Sequence, residues 1–405
     1  MQHLAAFSRL EPWERTLWIT FLAQLVSAAG FSIIFPFLPL YVASLGTRTG
    51  LSLEFWAGMA FSAQAATMML ASPIWGTLAD RYGRKLMVER AMFGGAVILG
   101  LMAFVRSAEE LVVLRCMQGL ITGTISASNA LVAAEAPRQR VGYAMGVVQV
   151  GLWSGVAVGP LLGGAMADLW GYRVPFLITA GLLLFSGVWV WRGVHETPVP
   201  AASRRSTDLV FWTIWQQLLQ RSSVRLTYAA RFLSAVGTNM VLPVAPLFIK
   251  SLLASEELVG TYTGLAVGLA SAASTLSGIY LGRLGDRIGH RRVLLFSLLA
   301  AALFYLPQTF AGAAWQLLVL QSLVGAASGG ITPALSALLA RGTQPGSEGA
   351  TYGLDNSITS GARALAPLMG AGVAMALGVR STFLAIAAIM LLTAALVSWR
   401  MPQHS

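Results

Sequence analysis

The sequence predicts an all-α integral membrane protein of twelve transmembrane helices, arranged as two pseudo-symmetric six-helix bundles. Two observations carry that prediction. Only 11% of the 405 residues are charged while 56% are hydrophobic. A soluble domain carries roughly 25% charged residues, so most side chains here have no water to face. The second observation is an internal repeat that relates the two halves of the chain at a nearly constant offset.

Apolar runs long enough to cross a bilayer core of about 30 Å, which takes roughly 20 residues, fall at 16–42, 55–78, 88–105, 111–134, 141–166 and 175–194. A second set falls at 226–249, 258–281, 293–310, 315–340, 351–377 and 382–399. The first run could be read as a cleavable leader, but it continues unbroken to Val42 and recurs mid-chain, so a retained first helix is expected. Residues 1–194 then form an N-terminal bundle, 195–225 a cytoplasmic connector and 226–405 a C-terminal bundle. The connector's 211–219 portion has the composition of a short interfacial helix.

The net charge of +11 does not form one basic face, so no nucleic-acid partner is expected. With both termini placed in the cytoplasm, nineteen Lys and Arg lie inside against five outside. That is the positive-inside bias of a multi-pass protein. Three arginines, Arg115, Arg231 and Arg363, remain within spans.

The repeat is colinear. Gly30, Pro36 and Pro39 match Gly237, Pro243 and Pro246; Gly76, Asp80, Arg81 and Gly83 match Gly282, Asp286, Arg287 and Gly289; Pro160 and Gly163 match Pro367 and Gly370. Duplicated halves with a site between them are an architecture of secondary transporters.

The stretch Gly76-Thr-Leu-Ala-Asp80-Arg81-Tyr-Gly83-Arg84-Lys85, with its degenerate copy around Asp286 and Arg287, resembles the signature loop of the major facilitator superfamily. The fifth span carries Gly146, Gly155, Gly159, Pro160, Gly163 and Gly164. This register is similar to the signature of the twelve-spanner drug:proton antiporter branch, the bacterial multidrug and tetracycline-resistance-type efflux transporters. Trp170-Gly-Tyr-Arg173 and Glu196-Thr-Pro198 look like the flanks of helix 6 in that branch. The resemblance implies the major facilitator fold and a conformational gate in the first loop. Asp80 and Arg84 would make charge-assisted bonds across the seam between halves, with Glu135 completing the cluster. It also implies proton-coupled efflux of small amphipathic compounds across the bacterial inner membrane. Relatives that export cations place a carboxylate in the first or fourth span; this chain has none there.

Within the spans, Arg115, Gln118, Thr122, Ser126 and Asn129 recur at spacings of three and four, one polar stripe down a helix. Lipid cannot accept it, so it either lines a watery cavity or forms a hydrogen-bond seam between helices. Asp355 is the carboxylate inside a span, with Thr359 and Arg363 following at four-residue spacing. It is either the proton carrier, with Glu135 the second candidate, or a wet residue at a helix start. Arg363 lies about 12 Å further along the axis, marginal for an ion pair. Arg231 either lines the cavity or snorkels to the interface. Gln24, Phe31, Phe35 and Asn239 are further lining candidates, each also explicable as packing.

Enzymatic signals are missing: no HExxH, GxSxG, P-loop or GxGxxG occurs, and none of the four histidines lies in a span. No metal or cofactor is expected, and an ion gradient must supply the energy. Three arginines against one aspartate suit neutral, zwitterionic or anionic substrates. A monomer in the lipid bilayer, working on protons and a small molecule, is expected. The alternatives are a dedicated metabolite or siderophore exporter, a narrow proton symporter, or a transporter-like receptor that moves nothing.

Overall fold

Among the described residues, twelve helical rods pack side by side in a computed structural model. The structure describes residues 11–121, 123–137, 140–194, 196, 222–253, 258–342 and 348–400. The connector's proposed interfacial helix lies outside the described residues.

Helix α1 runs Pro12–Ile33 and, after a bend, Leu38–Leu45. Then come α2 (Leu53–Tyr82), α3 (Arg84–Met102), α4 (Ala108–Ile121 and Thr124–Glu135), α5 (Val141–Trp170) and α6 (Arg173–Gly193). The second half repeats the plan: α7 (Ser222–Met240 and Ala245–Leu252), α8 (Val259–Ile288), α9 (His290–Tyr305, ending in the 3-10 turn Leu306–Phe310), α10 (Ala314–Ser328 and Ile331–Gly342), α11 (Glu348–Leu377) and α12 (Ser381–Arg400). Among the described residues, nine helices are long and apolar enough to cross a membrane on composition alone. Two of the other three have local reasons: Ser62, Gln64 and Thr67 dilute α2, and four charges open α3.

The repeat reaches the irregularities as well. The bends in α1 and α7 fall at the matched prolines Pro36 and Pro243, where the missing amide cannot join the helical ladder. The breaks in α4 and α10 fall beside Gly123 and Gly330, again 207 residues apart. The tight turns after α2 and α8 close on Gly83 and Gly289, at φ +103° and +97°, a region that excludes most side chains.

Between α5 and α1 the approach is backbone to backbone. A Cβ at Gly155 would sit 2.7 Å from the Ala29 amide, and one at Gly159 would sit 2.5 Å from the Ala29 carbonyl oxygen. One at Gly163 would collide with the Ile33 carbonyl, and one at Gly151 would press on Phe21. Glycines every fourth residue permit this contact in a medium where packing, not burial from water, holds helices together. Ser32 adds a bond from its Oγ to the Gly155 carbonyl at 3.1 Å.

At the end away from the termini, Glu109 clasps the α1–α2 loop. Its Oε1 accepts from the Arg48 amide at 2.8 Å and from the Thr49 amide at 3.1 Å. Desolvation pushes the Glu109 carboxyl up, but amide and hydroxyl donors outweigh it and hold the group down to about 2. A depressed carboxyl stabilises the fold above its unfolded value of 4.5, and that contribution is lost as pH falls through the folded value. Amide-exchange protection of Arg48 and Thr49, corrected for intrinsic rate, should therefore persist to about pH 4 and fade below about pH 3.

Candidate functional site: a cleft between the bundles

The halves meet along two seams, α5 against α8 and α2 against α11. Their closest contacts lie toward the end away from the termini. Gly164 abuts Gly260 and Gly264, the carbonyl of Pro160 faces Gly264, and Gly58 would meet Ala371 and the Pro367 carbonyl at 3.0 Å if given a Cβ.

Toward the terminus end the same helix faces diverge. At about 100° per residue, Gly146 shares the direction of Gly164, while Trp153 and Val150 lie within about 40° of it. Yet Val150 is 60% and Trp153 48% exposed, and a Cβ at Gly146 would meet nothing within 4 Å. The face that seals one end of α5 therefore lines an open cleft at the other. On α11, exposed Leu365 and Met369 mark the lipid side. Asn356 and Arg363, both exposed, sit about 160–180° from Leu365, so they point inward. The cleft wall thus combines Trp153 and Val150 on α5 with Asn356 and Arg363 on α11.

Beside it sits a partly buried ion pair. Arg231 Nε donates to Asp355 Oδ1 at 2.9 Å, and its Nη2 donates to Asp355 Oδ2 at 2.7 Å and to Ser336 Oγ at 3.0 Å. The side chains are only 11% and 13% exposed. This is the parallel fork of an arginine and a carboxylate, and it ties α7, α10 and α11 together. One turn before Asp355, Tyr228 Oη donates to the Thr351 carbonyl at 2.9 Å. Asp355 lies seven residues into α11 and is buried. Its partner is Arg231, which engages the carboxylate instead of reaching for the interface.

In the first half the polar stripe turns inward to protein. Arg115 is 1% exposed; its Nε donates to the Ala60 carbonyl and its Nη1 to Gln118 Oε1, both at 2.8 Å. In this conformation that portion is a seam between α2 and α4. The stripe is also not continuous, because α4 breaks at Gly123. Thr122 lies outside the described residues, as does the Ser126 side chain; Asn129 is half-buried. Gln24 is fully buried, and among the described residues both its amide oxygen and nitrogen lack a partner. Phe31 and Phe35 are half-buried against the core, with Phe35 6.0 Å from Phe61. Asn239 donates to the Ala235 carbonyl of its own helix at 2.7 Å.

Of the gate residues, Gly76, Asp80 and Arg81 lie on α2, and their side chains are outside the described set. Gly83 forms the turn, and Arg84 and Lys85 open α3. Glu196 caps that helix: its carboxylate accepts from the Arg84 and Lys85 amides at 2.8 and 2.9 Å. In the second copy, Asp286 lies 3.3 Å from His290 and Arg287 is exposed. Glu135, the last residue of α4, is half-buried. In the α5 motif, Gly155, Gly159 and Gly163 pack on α1, Pro160 and Gly164 on α8, and Gly146 faces the cleft. Gly151, absent from the motif as read, completes the α1 stripe. The four-residue spacing to Gly155 was its available signal.

A pair of six-helix halves around a cleft defines a membrane transporter, not an enzyme. The chain belongs to the Major Facilitator Superfamily, whose family profile matches residues 20–252 and 227–405. It is therefore a multi-pass membrane protein that handles a small molecule. It is 35% identical over 398 residues to the multidrug resistance protein MdtG of Serratia proteamaculans (strain 568), covering 98% of this chain and 96% of that one. The MdtG of Salmonella dublin is 33% identical over 387 residues, covering 96% and 95%. Among solved structures, a bacterial homologue of the human lysosomal transporter Spinster, inward-facing and unoccupied, superposes with a TM-score of 0.80 at 14% identity, covering 96% and 97%. The nucleoside transporter NupG gives 0.77 at 15% identity, covering 96% and 98%. At those identities the likeness speaks for the fold.

Proposed function

We propose that the chain is a proton-coupled exporter of small amphipathic compounds, drugs among them, working by alternating access in the bacterial inner membrane with both termini cytoplasmic. The observation that carries this reading is the cleft, open at the terminus end, sealed at the other, and flanked by a titratable ion pair. An aromatic and apolar wall on α5 faces a cationic, hydrogen-bonding wall on α11, which suits an amphipathic guest that is neutral, zwitterionic or anionic. The names of the MdtG relatives support drug export. Asp355 is the proton carrier in this reading: protonating it removes the charge that holds Arg231 and frees α7 from α11. The protein acts as a monomer in the lipid bilayer, driven by the proton gradient, with no cofactor.

The test is to load everted vesicles with an acid interior and add cationic, neutral and anionic drugs while a pH-sensitive dye reports protons leaving. Release on adding several unrelated compounds is the expected result. Silence across the panel would overturn drug antiport in favour of a dedicated metabolite or siderophore exporter or a symporter.

A further inference from the structure

The seal at the end away from the termini is asymmetric. On the α5/α8 seam, Asp168 reaches across the halves to the first turn of α8. Its Oδ1 accepts from the Gly260 amide at 2.9 Å, and its Oδ2 accepts from the Thr261 amide and the Thr261 hydroxyl, both at 2.6 Å. These are the open amides of a helix start, which a carboxylate caps and whose dipole it complements. The offset of 207 that relates Pro160 to Pro367 places Met375 where the second half would have its Asp168. At that seam Ser52 Oγ donates to the Met375 thioether, a weak acceptor. A carboxylate with three donors therefore holds one seam, and a thioether holds the other. The glycine contacts at Gly164, Gly260 and Gly264 bring the backbones together, but they supply no charge.

We infer that Asp168 is the latch of the closed end: its carboxylate spans the two bundles, and its release from the α8 amides is a required step each time that end opens. The latch belongs to the conformational cycle and is independent of substrate and of the coupled ion. Losing a charged cap should shift the balance between the two cleft openings about tenfold, within the range of charge-assisted bonds.

Cys116 is the only cysteine, so Cys116→Ser gives a clean background for reporter thiols. Ala371→Cys places one at the α2/α11 seam, where Ala371 is 1% exposed opposite Gly58. Val150→Cys places one in the cleft at the terminus end. In sided membrane vesicles, Asp168→Ala should make the thiol at 371 react about tenfold faster with an impermeant reagent presented on the side away from the termini. The thiol at 150 should react more slowly from the terminus side. Asp168→Asn, which keeps an acceptor oxygen, and Thr261→Val, which removes one donor, should shift both rates the same way by less. Unchanged rates in Asp168→Ala would overturn the latch. So would faster reaction at both thiols, because general loosening, unlike a shift between two states, has no reciprocal signature.

Discussion

Gly159→Leu is expected to abolish transport and to remove most of the folded protein from the membrane. The site has no slack. A Cβ at 159 already lies 2.5 Å from the Ala29 carbonyl oxygen and collides with Ser32 Oγ, whose own bond goes to the Gly155 carbonyl. The obstructing atoms are mostly backbone of α1, so no rotamer change relieves them. A leucine must push the helices apart and breaks the contacts at Gly151, Gly155 and Gly163 with it. Overpacking a tight interior costs about 1–3 kcal/mol per site, and separating a whole helix pair exceeds that. Gly146→Ala is the matched control, because its Cβ would enter open space. Thermal melting in detergent, followed by size-exclusion with fluorescence detection, should show Gly146→Ala near the parent and Gly159→Leu without a folded peak. A folded peak for Gly159→Leu would mean that α1 and α5 are not held backbone to backbone.

The helix count was legible because it rests on local chemistry. Twenty apolar residues cannot avoid the bilayer, whereas a proline alone does not announce a bend: Pro36 and Pro243 stand at bends, while Pro160 and Pro367 sit inside unbroken helices. The α5 stripe was legible in period but not in phase. Periodicity puts Gly155 and Gly159 on one face and Gly146, about 180° round the helix from Gly155, on another, but it does not tell which neighbour each face meets. Arg115 shows the same limit. A polar stripe must avoid lipid, but protein and cleft satisfy that demand equally, and the tie is decided by the Ala60 carbonyl 55 residues away. Asp355 and Arg231 were each found as a charge in an apolar helix, whereas their pairing was not, since Arg231 lies 124 residues earlier on another helix. Asp168 was missed because α5 extends to Trp170, past the apolar run that ends at 166. Sequence reading stops where hydropathy stops, and the seam between bundles lies just beyond.

Asp355→Asn is expected to lose substrate-induced proton release by at least tenfold, a change of about 1.4 kcal/mol or more, and to weaken the fold. Two effects act at once and can be separated. Asparagine cannot carry the proton, and it leaves the Arg231 guanidinium with a neutral partner in a site only 11% exposed. Breaking a buried pair by removing one charge costs about 3–5 kcal/mol, whereas removing both is often close to neutral. The double variant Arg231→Gln with Asp355→Asn should therefore recover thermal stability toward the parent. It should not recover coupling, because no titratable group has returned. Arg231→Gln alone should be less stable than the double variant, with Asp355 left as an unpaired carboxylate beside Ser336. Melting temperatures of the four proteins give the interaction energy of the cycle, and dye-monitored proton release in vesicles gives the coupling. Recovery of stability without coupling would identify Asp355 as the carrier and Arg231 as the group that positions it. Coupling retained in Asp355→Asn would transfer the carrier's role elsewhere and leave the fork as a clasp between α7, α10 and α11.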